Sequence, residues 1–247
     1  MNNASITLKI WGDYALFSRP EMKVERVSYD VITPSAARGI LEAIYWKPQF
    51  RWIIEEINVL NPIRFTNIRR NEVGKKASAP NSKEMNGETK KKPLFIEDER
   101  QQRASLLLKD VAYVIKARIH LFDTILEKEG KPAPANQVAG KHLDIFKRKA
   151  SRGQYFHHPC LGTREFPANF ELITEESQIP EPNSELLTEK DLGFMLHDLE
   201  FDQDPKTKKV KSTTPHFFRA NMVNGIIDVP QLPFDLPNMN QKPNKKS

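Results

Sequence analysis

The segment VIKARIH, residues 114–120, concentrates side chains suited to chemistry. On a strand, residues two apart share a face. Lys116, Arg118 and His120 would then line one side, and Ile115, Ala117 and Ile119 the other. Lysine and arginine can stabilise negative charge developing on a phosphate. Arginine, with a pKa above ~12, cannot accept a proton at neutral pH, whereas histidine, near ~6.5, is poised to. A solvent-facing strand of a half-buried sheet would alternate in the same way. The basic surroundings and Tyr45, in the segment IYWKP, favour chemistry. A tyrosine there could equally cap the core with its hydroxyl wet.

The remaining ionisable groups carry weaker signals. His142 reads as packing or capping on a helix, and His197 and His216 look incidental. The chain has no HExxH, CxxC or GxxxxGK[ST] motif and no paired carboxylates, so neither a metal nor a nucleotide cofactor is expected. Asp98 and Glu99 sit beside arginines and are better explained by ion pairing. The single cysteine, Cys160, excludes a disulfide framework.

Charge is segregated. The 247 residues hold 38 Lys+Arg against 32 Asp+Glu, a net +6. Residues 171–204 carry eleven acids and one lysine, a local −10. Residues 205–247 carry +6, which leaves +10 on residues 1–170. Such a basic body suits nucleic acid; a solvated surface beside an acidic flap is the plainer alternative. Two basic clusters stand out. One is the stretch 64–92, with Arg69, Arg70, Lys75, Lys76 and Lys90 to Lys92; from about 71 to 93 it reads as a long basic loop. The other is KHLDIFKRKASRG, with Lys141, Lys147, Arg148, Lys149 and Arg152.

Periodicity supplies the elements that must position these groups. SITLKIW alternates as a first strand. TPSAARGILEAI reads as a helix capped by Thr33 with Pro34 in its first turn. RWIIEEINVLNPIRFTNIRR reads as one second strand, and LLLKDVAYVIKARIHLF as the clearest strand of all. ANQVAGKHLDIFKRKASRG predicts a second helix, capped by Asn136 and stopped at Gly153. FHHPCLGTREFPANFELI is a further extended segment. The order β-α-β-β-α-β predicts an α+β class, with a ferredoxin-like (RRM-like) core over residues 1–173. Residues 174–247 would form a C-terminal β-rich extension with a flexible tail. No run reaches the ~18 apolar residues of a membrane span. No secretory signal is visible, so a cytoplasmic setting without membrane contact is expected.

Three blocks, in order, carry a resemblance: IWGDYALFSRPEMKVERVSYDVITPSAARGILEAIYWKPQF, IEDERQQRASLLLKDVAYVIKARIHL and GQYFHHPCLGTREFPANF. The chain resembles the type I-C (Dvulg) CRISPR-associated Cas-five-d family over residues from about 7 to 172. The resemblance implies an endoribonuclease that cuts precursor CRISPR RNA at the repeat hairpin. It then stays on the 5′ handle within the type I-C interference complex. The implied partners are that RNA, the other subunits and double-stranded DNA met by the complex. The implied chemistry is metal-independent attack by a ribose 2′-OH. The family's catalytic tyrosine falls on Tyr45 and its lysine on Lys116. Its histidine, in a KAH pattern, falls on Arg118, a departure from the family.

Three outcomes stay open. His120, about 7 Å further along the strand, could replace that histidine. Tyr45 with Lys116 could suffice. Or the chain is a non-catalytic handle-binding subunit. Arg69, Arg70, Lys75, Lys76, Arg100 and Arg103 are the expected RNA contacts. His157 and His158 read as structural or RNA-contacting rather than catalytic. A general RNA-recognition protein ranks below these readings, because the RNP1 aromatic pattern is missing.

Overall fold

The computed structural model describes residues 5–22, 24–89, 93–122, 135–204, 207 and 209–231. A mixed α/β architecture is built on one large, mostly antiparallel sheet of nine strands, with few helices. Strand β1 (Ser5–Ala15) lies between β6 (Asn169–Ile173) and β5 (Arg100–Leu121). Strand β3 (Phe50–Val59) flanks β5 on the other side. All three pairings in the order β6-β1-β5-β3 are antiparallel. Short β9 (Ile226–Asp228) then joins β3 to a long hairpin of β8 (Val210–Val223) and β7 (Glu189–Gln203). Strands β7, β8 and β9 thus belong to the same sheet as the rest, and the tail expected at the C-terminal end lies outside the described residues.

Helix α1 (Pro34–Ile44) forms as its sequence predicts. Thr33 caps it by accepting the Ala36 amide at 3.2 Å, and Pro34 occupies the first turn. Its stripe of Ala37, Ile40, Leu41 and Ile44 is buried. The backbone turns extended at Tyr45, which ends the helix. The helix Ala135–Ala150 contains Asn136 within its span, so Asn136 is not the cap expected of it. It is labelled α3, after the one-turn helix α2 (Ser82–Met85). Gly153 follows it at φ +64, where a left-handed residue lets Gln154 N–H close back on the Lys149 carbonyl at 2.9 Å.

Two expectations are corrected. The second strand is two: it breaks at Asn61–Pro62, and β4 (Phe65–Val73) pairs not with β3 but with the first half of β5. Proline cannot donate to a ladder, and here β5 exchanges one partner for the other. Asp110, at the exchange, takes φ +52. The predicted loop 71–93 also begins later, because Asn71, Glu72 and Val73 continue β4. Short β2 (Arg26–Val27) runs parallel to β5 beside that ribbon.

Helices α1 and α3 cover one face of the central sheet. Their Ile40, Leu41, Leu143 and Phe146 share a core with Leu8 and Ile10 of β1, Trp52 and Ile57 of β3, and Ile115, Ala117 and Ile119 of β5. The other face carries a small cluster of Leu60, Ala112, Val114 and Ile173, with Trp11 and Ile179 packed against it.

Candidate active site

Strand alternation sends Lys116, Arg118 and His120 away from the helices. Each cation of the row meets a carboxylate. Lys116 Nζ lies 2.9 Å from Glu56, and Arg118 Nε lies 2.9 Å from Glu55. Two consecutive residues of a strand normally face opposite ways, but a bulge between Ile54 and Glu56 lets both glutamates serve this face. Asn58 donates to Glu56 at 3.0 Å and fixes it further. His120 pairs across the sheet with Arg51 and lies edge-on to Phe122 at 6.2 Å.

Tyr45 is on the opposite side of the sheet. Its ring is packed in the helix-side core at 6% exposure, stacked near Phe50 at 5.8 Å. Its carbonyl accepts the Trp52 indole N–H at 3.1 Å. Its hydroxyl lies 2.8 Å from Nδ1 of His142, which is 5% exposed. Lys149 Nζ sits over the Tyr45 ring at 5.8 Å, so the pair lies one side chain below the surface. Burial pushes the Tyr45 hydroxyl above its ordinary pKa. With Nδ1 unprotonated, the hydroxyl donates to the ring, and the imidazole is a ready acceptor for its proton.

The expected grouping of Tyr45 with Lys116, Arg118 and His120 is therefore not assembled, because the β5 backbone separates them. The structure instead gives Tyr45 a histidine from α3. From sequence, His142 reads as packing or capping, and 97 residues separate it from Tyr45. One signal was present: His142, Phe146 and Lys149 recur at helical spacing within the second basic cluster. Among the described residues, no cluster of three or more His, Cys, Asp or Glu could hold a metal.

Comparison with known proteins bears on what such a pair would serve. The family described as CRISPR-associated protein (Cas_Cas5), Cas5d, matches residues 5–230. A Mannheimia succiniciproducens protein called CRISPR pre-crRNA endoribonuclease Cas5d is 52% identical over 91% of this chain and 94% of its own. A Thermus thermophilus protein of the same name is 43% identical over 92% of each. The chain belongs to the Cas5d family. A crystal structure of a CRISPR-associated protein matches with TM-score 0.59 and 25% identity over 92% of each chain. A Streptococcus mutans structure described as functionally uncharacterised shares the fold, with TM-score 0.60 and 24% identity.

In this Cas5d member the predicted RNA contacts sit mostly on the β4–β5 ribbon. Arg69 and Arg100 are exposed on one side of it. On the other side, Arg26, Arg70 and Arg103 converge on Glu72 at 3.6, 3.8 and 3.6 Å. Arg70 also pairs with Glu165 and donates to Ser105 at 3.0 Å. Arg103 donates to Gln101 at 2.8 Å. Lys75 meets Glu99 at 3.0 Å, and Lys76 is exposed. Lys90, Lys91 and Lys92 lie outside the described residues. His157 donates its backbone amide to Ala43 at the end of α1, at 3.1 Å, and His158 Nδ1 lies 2.9 Å from the Pro159 carbonyl.

Proposed function

We propose that this chain cuts precursor CRISPR RNA at the repeat and keeps the 5′ handle as a subunit of the interference complex. The observation that carries this reading is end-to-end likeness to relatives named for that cleavage. The reaction joins the ribose O2′ to phosphorus and breaks the P–O5′ bond. The 2′-OH proton must go to an acceptor, and the departing O5′ must gain one. Tyr45 and His142 form a proton-transfer pair suited to either task, since an imidazole can both accept and release a proton. Lys149 over the ring, with exposed Lys141 beside His142 in sequence, supplies cations for the charge building on phosphate. All these functions come from side chains, so the reading is metal-independent.

The row Lys116, Arg118 and His120 is the alternative seat, where Glu56 and Glu55 already neutralise the cations. The strand order β6-β1-β5-β3 with helices on one face supports a ferredoxin-like core, and the β7–β9 strands form its extension. A cytoplasmic setting fits this role, as does contact with double-stranded DNA through the assembled complex. No helix among the described residues is long and apolar enough to cross a membrane.

The test is cleavage of the repeat hairpin in EDTA. A specific cut by wild type supports the enzyme; its complete absence leaves the handle-binding subunit, the reading that Arg118 at the family's histidine position favours.

A further inference from the structure

The surface beside the Tyr45–His142 pair carries aromatic rings that the fold does not bury. Trp46, next to Tyr45 in the chain, is 53% exposed, and Phe156 is 76% exposed. Phe156 is brought to Ala43 at the end of α1, three residues before Trp46, because the chain leaving α3 turns at Gly153 and returns there. There the Phe156 and His157 amides both donate to the Ala43 carbonyl, at 2.8 and 3.1 Å. The Phe156 backbone is thereby anchored, while its side chain contributes little to the core. Its ring stands edge-on to His157 at 4.4 Å. Lys47 and Arg152 are exposed close by in the chain, and Lys149 lies over Tyr45. Exposed rings flanked by cations match an unpaired nucleotide, whose base offers a π-face and whose phosphate offers charge.

We propose that Trp46 and Phe156 form a stacking platform for unpaired nucleobases, which holds single-stranded RNA next to Tyr45 and His142. The proposal rests on the RNA-cutting reading above and adds the part of the substrate gripped at that site. The platform distinguishes unpaired from paired RNA, because bases inside a duplex stack on one another and present only edges. The anchoring hydrogen bonds use backbone atoms, so replacing the Phe156 side chain leaves the loop in place.

Binding of a short labelled single-stranded oligoribonucleotide and of a blunt duplex of equal length tests it. Cleavage of the repeat hairpin is followed in parallel. Phe156→Ala is expected to weaken single-strand binding about tenfold or more. Phe156→Tyr should restore it, and Phe156→Leu, apolar but without a π-face, should not. Duplex binding should be unchanged in all three, and Trp46 fluorescence should be quenched by the single strand. Unchanged single-strand binding by Phe156→Ala overturns the platform, whether or not wild type cuts. Loss of cleavage by wild type, with the Phe156 dependence intact, overturns only the enzymatic reading.

Discussion

The two faces of strand β5 solve opposite problems. On the helix side, Tyr45 and His142 are polar groups packed among Phe50, Trp52 and Phe146 and joined by a 2.8 Å contact. On the open side, Lys116 and Arg118 are charges within reach of water, each matched by a glutamate. A phosphate arriving at the open row meets two carboxylates as well as two cations. One arriving at the helix side meets Lys149 above a hydrogen-bonded pair able to move a proton. On the reading proposed above, the row of cations is the weaker candidate for catalysis, and the buried hydrogen-bonded pair beside Lys149 the stronger.

The sharpest way to break this contrast is to delete a proton carrier from each side. His142→Asn should slow single-turnover cleavage by about 10²–10⁴-fold, while Lys116→Ala should slow it less than about tenfold. The reverse ranking would move the site to the open face. Next in size is packing. Phe146→Ala, one turn from His142, should lower unfolding free energy by about 3–5 kcal/mol in denaturant titrations.

Tyr45→Phe removes one buried hydrogen bond. It should cost about 1 kcal/mol of stability, with a larger loss in cleavage. A cleavage rate equal to wild type would limit the pair to packing. It should also shrink the alkaline loss of stability. Burial holds the Tyr45, Tyr29 and Tyr113 hydroxyls protonated above their ordinary pKa in the folded chain. The stability linked to them is complete below pH 10 and is lost as pH rises beyond it. Unfolding curves at pH 9 and pH 11 check the sign. The smallest effect belongs to the open face: Lys116→Ala should change stability by about 1 kcal/mol or less, since its pair with Glu56 is still partly in water.

Much of the frame was legible in the sequence. Thr33 and Pro34 mark the start of α1, and the alternation through Ile115, Ala117 and Ile119 gives both the strand and its buried face. These signals are local, reaching only a few residues. The break of the second strand, at Asn61–Pro62, is weakly marked in the sequence. Ile and Val on both sides masked it, since β3 and β4 are each good strands. Arg70 and Arg103 were legible as cations but not as members of a network held by Glu72, whose partners come from β2, β4 and β5.

The sequence by itself determined the charge pattern, the element types and the two-sided character of β5, because each follows from composition or short-range periodicity. Only the tertiary structure decided which side holds the candidate chemistry. The alternation of β5 says that Lys116 and Ile115 face apart, but not which helix residue lies against that apolar face. The strand order β6-β1-β5-β3 lays α1 and α3 on one side, which brings His142 to Tyr45. The bulge in β3 turns Glu55 and Glu56 toward the cations on the other. Pairing over such separations depends on how elements stack, and no periodicity of a single segment records it.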